Sequence, residues 1–187
     1  ASGRVRGLLI TPPYGHFALN DRRAYPYFQM ASELGVPVYV HQGAMFGPTE
    51  NAPQFRARLS TVDQVVVDFP DLKLNIEHLA WPWTEELLAI MAHAPNVYTD
   101  ICMLQIRPRM LAWHLTMAKE YGFLDRVLWG TDFVGSGIDE YKEQVTKEVH
   151  FLRHEFNPIL AGSGWPELTE AEIDGLLAGN IRRLLQL

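Results

Sequence analysis

The chain has a single cysteine, Cys102, so it has no internal disulfide and does not belong among the small secreted scaffolds that depend on such bridges. No apolar run approaches the roughly 18 to 20 residues that span a bilayer, and the first residues, ASGRVRGLLITPP, lack the apolar core of a signal peptide. A cytoplasmic setting away from membranes is the expectation. Positive charge is not in excess: 16 Lys and Arg against 22 Asp and Glu leave a net charge of −6. Nucleic acid is therefore not an expected partner, since phosphate backbones are held by clustered cations. Low-complexity tracts are missing as well. No Gly-rich phosphate loop follows the first apolar run, where Thr11-Pro12-Pro13-Tyr14 offers few backbone N–H groups.

What is present is the material of one compact α/β domain of 187 residues. Five β-rich runs, VRGLLIT, VPVYVHQ, LKLNIEH, NVYTDI and RVLWGTD, begin near Val5, Val36, Leu72, Asn96 and Arg126. Their spacing is that of successive βα units, and several are apolar on both faces, as parallel strands covered by helices should be. Helical segments fill the gaps. The first is expected over Asp21 to Leu34, ending at Gly35; the next is capped by Thr84 and runs through Met91; another opens at Pro108, runs to Tyr121 and stops at Gly122. Thr169 and Glu172 form a capping-box pattern for a short helix, and a last turn covers Asn180 to Leu187. Repeated β-then-α order leaves an open doubly wound sheet or part of a closed barrel.

The polar residues favour the barrel. His41 ends the second run, Glu77 and His78 the third and Asp100 the fourth, and Asp132 follows the fifth. Ligand-type residues at successive strand C-termini are how a (β/α)8 barrel builds an active site. A lone histidine such as His41 is ordinarily a packed residue satisfied by a carbonyl, but a second histidine in the same position, His78, raises the metal reading. His78 suits proton transfer near neutral pH, and the Asp132 carboxylate suits metal binding or proton acceptance from water. Strand alternation points Glu77 to the opposite face, which makes it structural. Asp100 either reaches the barrel mouth or caps the following loop. Trp81 and Trp83 are candidates for an apolar wall, and His16 and Arg107, with Arg109 behind it, for substrate contacts. His93, His114, His150 and His154 read as surface or packing residues on helices, and Cys102 as buried and inert.

PVYVHQG at Pro37 to Gly43, FPDLKLNIEHLAWPW at Phe69 to Trp83, NVYTDI at Asn96 to Ile101, DRVLWGTDF at Asp125 to Phe133 and GNIRRLLQL at Gly179 to Leu187 resemble the C-terminal part of the amidohydrolase-related family, which includes hydrolases and the aminocarboxymuconate-semialdehyde and resorcylate decarboxylases. The resemblance implies a TIM (β/α)8 barrel of the metal-dependent hydrolase type, here about strands four to eight. It further implies that His41 and Asp132 are metal ligands, that His78 is catalytic, and that Asp132 accepts a proton. One divalent metal, zinc by expectation, and a small-molecule substrate complete the picture. Two departures stand out. Ala80 occupies a position where the family usually has Gly, and the first-strand H-x-H or E-x-H pair does not occur. Missing N-terminal barrel strands, or a completing chain, are then expected, and a homo-oligomer is compatible with this. The chain alone should bind metal weakly and turn over nothing.

The expected reaction is hydrolysis of a small amide, lactone or ester-like bond, toward which His41-Gln42-Gly43 and the loop after it lean. Non-oxidative decarboxylation of an aromatic or enol acid is the alternative, toward which Trp81 and Trp83 lean. A non-catalytic flavodoxin-like binding module is the reading from another class, and strand order separates it from the barrel.

Overall fold

Four short strands, Leu8–Ile10 (β1), Val38–Val40 (β2), Leu74–Ile76 (β3) and Val97–Asp100 (β4), pair in parallel and in order of sequence. The computed structural model describes residues 5–43, 52 and 54–187; the loop that follows Gly43 lies outside them for the most part. Two compact units are formed, Ala1–Asp100 with Leu184–Leu187, and Ile101–Arg183. The four strands belong to the first. Their sequential order is that of a barrel wall and differs from the flavodoxin-like order, in which the first strand lies between the second and the third. Leu8, Val38, Leu74 and Val97 share one register line, and Val40 pairs with Ile76, which pairs with Thr99. Val38, Val40, Leu74 and Ile76 are fully buried, as the absence of alternation in their runs predicts. β1 pairs only with β2 among the described residues, and Leu9 at its centre is 64% exposed.

Helices cover this sheet. α1 spans Tyr25–Leu34 and buries Phe28 and Ala31. It starts four residues later than Asp21, because Pro26 lacks an N–H and fits only a first helical turn. Asp21 instead accepts from Arg23 Nε and Nη2 in the preceding turn. Gly35 ends the helix at φ 65°, and its N–H bonds to Ser32 O as expected. α2 (Ser60–Asp68) buries Val62 and Val65. α3 spans Thr84–His93 and buries Leu87, Leu88, Ile90 and Met91. Thr84 is its first residue and does not cap it: the Thr84 hydroxyl donates to Leu79 O at 2.8 Å, in the turn that precedes the helix. His93 is exposed and lies 3.1 Å from Asp63.

The second unit contains β5 (Val127–Leu128), helices α4 (Pro108–Glu120), α5 (Ile138–His150), α6 (Phe156–Gly162) and α7 (Glu170–Asp174), and α8 (Asn180–Leu185) as far as Arg183. Pro108 opens α4, which buries Leu111, Ala112, His114, Leu115 and Ala118 and ends near Gly122 at φ 74°. The Thr169–Glu172 capping box is formed in both directions. Asn180 anchors the start of α8 to β5, its amide donating to the carbonyls of Leu124 and Val127 at 2.8 and 2.6 Å. Cys102 is half-buried rather than buried. Its Sγ lies 2.6 Å from where a Cβ on Gly130 would be, so the glycine makes its room. The exposed rings of His150 and His154 lie 4.7 Å apart on the solvent side. No helix among the described residues is long and apolar enough to cross a membrane.

Candidate functional site

Two sheet ends in the first unit bring His41 and His78 together. β2 runs to Val40 as a buried strand, and His41 N still bonds to Ile10 O at 3.0 Å, so the imidazole leaves from a fixed backbone. β3 ends at Ile76. The next four residues, Glu77–Ala80, form a tight turn in which His78, Leu79 and Ala80 all have left-handed backbones at φ 59°, 50° and 49°. The rings of His41 and His78 stand 5.1 Å apart, tilted by 71°. Both residues are more than nine-tenths buried.

The turn corrects the reading of Glu77. Two-residue alternation holds only along an extended strand, and the strand has stopped one residue before Glu77. Its side chain therefore turns to the same side as the histidines, with Oε2 3.0 Å from His41 Nδ1 and 3.7 Å from His78 Nε2. A carboxylate can only accept, so His41 Nδ1 carries the proton. His41 Nε2 is then the lone-pair nitrogen, and it is buried without a hydrogen-bond partner among the described residues. Leaving such an atom unpaired costs about 1–3 kcal/mol. Ligand-capable atoms of His41, Glu77 and His78 all lie within 4.8 Å of one another. An orphaned ring nitrogen beside a second imidazole and a carboxylate fits a divalent metal of the borderline class that imidazole prefers.

Asp100 has a role that neither expectation for it anticipated. It is 5% exposed, and its Oδ2 accepts from Asn75 Nδ2 at 2.6 Å while Oδ1 accepts from His78 N at 2.9 Å. It braces the left-handed turn from the neighbouring strand. Thr99 Oγ1 donates to Ile76 O at 2.6 Å one residue earlier. Gly43 is required for close approach: a Cβ there would meet Trp81 O at 2.8 Å and the Ala80 carbonyl carbon at 3.0 Å, and its φ is 124°. The sequence offered a signal for this brace, a polar Asn75 inside a wholly buried strand, but not its partner.

The other candidates divide between the units. Trp81 and Trp83 are half-buried directly after His78, joined by the cis Trp81–Pro82 bond, with the Arg58 guanidinium 5.6 Å from the Trp83 ring. His16 is exposed in the loop after β1 at φ 55°, and Tyr14 from the same loop places its ring 5.3 Å from that of His41. Asp132 and Arg107 belong to the second unit. Asp132 is exposed after β5, with φ 45°, and lines an open cavity of about 780 Å³ with Gln105, Phe133 and Glu148. Arg107 is half-buried next to the start of α4, and exposed Arg109 lies in its first turn.

A family model described as Amidohydrolase matches residues 1–187. An uncharacterized TIM-barrel protein from Bordetella bronchiseptica is 24% identical, with a TM-score of 0.68, over 97% of this chain and 57% of that one. A probable 2-pyrone-4,6-dicarboxylic acid hydrolase from Acinetobacter baumannii, solved with citric acid, is 14% identical with a TM-score of 0.62, over 98% of this chain and 65% of that one. A dihydroxybenzoic acid decarboxylase from Polaromonas, solved with manganese and 2-nitroresorcinol, is 14% identical with a TM-score of 0.54, over 91% and 56%. No curated protein matches the chain. The likeness shows the fold, that of part of a TIM barrel, and the chain spans between about half and two thirds of the length of these structures.

Proposed function

We propose that this chain, which belongs to the amidohydrolase family, carries the catalytic end of a metal-dependent hydrolase acting on a small amide, lactone or ester-like bond. The observation that carries the proposal is the buried Nε2 of His41, unpartnered among the described residues and beside His78, with Nδ1 held by Glu77. His41 is the proposed first ligand, and the Glu77 carboxylate fixes its tautomer. When bound, a divalent metal supplies a Lewis acid that polarises a substrate oxygen or lowers the pKa of water to about 7. His78 is proposed to hydrogen-bond the substrate carbonyl, steadied through its own backbone N–H by Asp100. Asp132 is proposed as a second metal ligand and as acceptor of the proton released by the attacking water, a role that rests on the resemblance of DRVLWGTDF. Zinc is the proposed metal. Manganese, held by the decarboxylase from Polaromonas, is the competitor.

Decarboxylation of an aromatic acid is the second reading, favoured by the two half-buried indoles of Trp81 and Trp83 immediately after His78. In that case His78 delivers a proton to carbon instead of polarising a carbonyl. Metal analysis of the full-length parent, followed by a panel split between lactones and hydroxybenzoic acids, separates the two. Retention of both metal and turnover by His41→Ala and Asp132→Ala would overturn both readings.

A further inference from the structure

In the second unit, α5 buries no side chain completely. Two of its half-buried residues are polar, Gln144 and Glu148, one helical turn apart. Glu148 Oε1 accepts from Gln144 Nε2 at 2.7 Å, and Oε2 accepts from Gln105 Nε2 at 3.2 Å and from Trp129 Nε1 at 3.1 Å. Each of the two amides has a second N–H. Gln144 Nε2 gives it to Thr131 O at 2.9 Å and Gln105 Nε2 to Gly130 O at 3.3 Å. Those carbonyls are consecutive, and the next residue is Asp132 with its left-handed backbone.

The chemistry of the three groups makes this arrangement directional. An amide presents donors on one side and an acceptor on the other, and nothing in its shape selects between the two orientations. A carboxylate only accepts, so it forces both amides to turn their nitrogens toward it and leaves each with one N–H for the loop. A turned amide would set its oxygen against a carbonyl oxygen. Burial pushes the Glu148 carboxyl above the ordinary glutamate range, partly offset by the bonds from Gln144 and Trp129. The ionised form is thus held here against a solvation cost that a solvent-facing helix residue does not incur.

We propose that Glu148 is a positioning residue for Asp132, acting through the orientation of Gln105 and Gln144 on the Gly130 and Thr131 carbonyls. The inference rests on the role proposed above for Asp132. It makes a near-isosteric change disruptive: in Glu148→Gln, an NH₂ replaces one acceptor and meets N–H donors, so at least one amide must turn and release its carbonyl.

The test uses the ¹⁵N-labelled chain. In Glu148→Gln the amide resonances of Thr131, Asp132 and Phe133 and the Trp129 indole N–H shift, whereas Glu143→Gln on the same helix leaves them in place. Zn²⁺ titration of Asp132→Ala and Glu148→Gln shows affinity reduced about 10- to 100-fold in each, and the double variant binds no more weakly than Asp132→Ala, because both act through one carboxylate. Gln144→Met, which removes the donor to Thr131 O together with its bond to Glu148 and leaves the carboxylate in place, reproduces the shifts if Glu148→Gln does not fold. Unmoved turn resonances, or additive losses in the double variant, overturn the proposal. Wild-type Zn²⁺ affinity in Asp132→Ala refutes the role of Asp132 instead, and the resonances then decide the hold of Glu148 on the turn by themselves.

Discussion

The Glu77 carboxylate accepts a hydrogen bond from the Nδ1–H of His41 at 3.0 Å and so leaves the other, buried ring nitrogen as a lone pair. Removing the carboxylate should let the two tautomers mix. In Glu77→Ala, long-range ¹H–¹⁵N spectra should show His41 losing its single Nδ1–H form, and Zn²⁺ affinity should fall about 10- to 100-fold. An unchanged tautomer would show that some other group orients the ring.

The brace from Asp100 predicts a large stability effect from a residue outside the ligand set. Asp100→Ala leaves the Asn75 amide and the His78 N–H without this acceptor in a buried site. Each such loss costs about 1–3 kcal/mol, so unfolding in urea should show a deficit of about 3 kcal/mol. A change under about 1 kcal/mol would mean that water or a neighbour replaces the carboxylate.

Ala80 holds a left-handed backbone at φ 49° that glycine adopts without strain. A non-glycine residue there costs roughly 1–2 kcal/mol, offset by the 0.4–1 kcal/mol or so that added chain freedom costs glycine. Ala80→Gly should therefore raise stability by up to about 1.6 kcal/mol in thermal unfolding. Destabilisation would mean that the Ala80 methyl contributes more by packing than its backbone costs.

His114 on α4 provides a pH signature. Burial holds its pKa down to about 4 from an ordinary 6.5, and its Nδ1 has no hydrogen-bond partner among the described residues. A depressed pKa means that the unfolded chain takes up the proton first. Its contribution to stability is complete above pH 6.5 and is lost as pH falls toward 4, about 3 kcal/mol across the window. His114→Leu should flatten that part of the stability profile, and a variant that follows the wild-type acid profile would assign the loss to other groups.

The strand ends were legible in the sequence because His41 and His78 each close a β-rich run, VPVYVHQ and LKLNIEH, at matching positions. The sequential strand order then placed their side chains together. Glu77 was not legible, since the period-2 rule assigns it to the far face and fails one residue after Ile76, where the chain leaves the extended region. Asp100 was half legible: its position at a strand end was visible, but its partner Asn75 is 25 residues away, and single-sequence patterns do not register pairs across a sheet. Thr84 shows the same limit locally, since its hydroxyl bonds back to the Leu79 carbonyl rather than forward into the helix. α2 went unremarked because its β-branched Val65 to Val67 run carries weak helical preference of its own. The Glu148 network lies beyond any pattern, since it depends on which way two amides face.

Gly43 passes so close to the Ala80 and Trp81 backbone that any side chain there would collide with main chain rather than with a movable group. The loops carrying the two imidazoles are therefore interlocked at a point that mutation cannot widen. A side chain at position 43 would have to push those backbones apart, so the spacing of the His41 and His78 rings is set by main chain and not by any neighbour that could be exchanged.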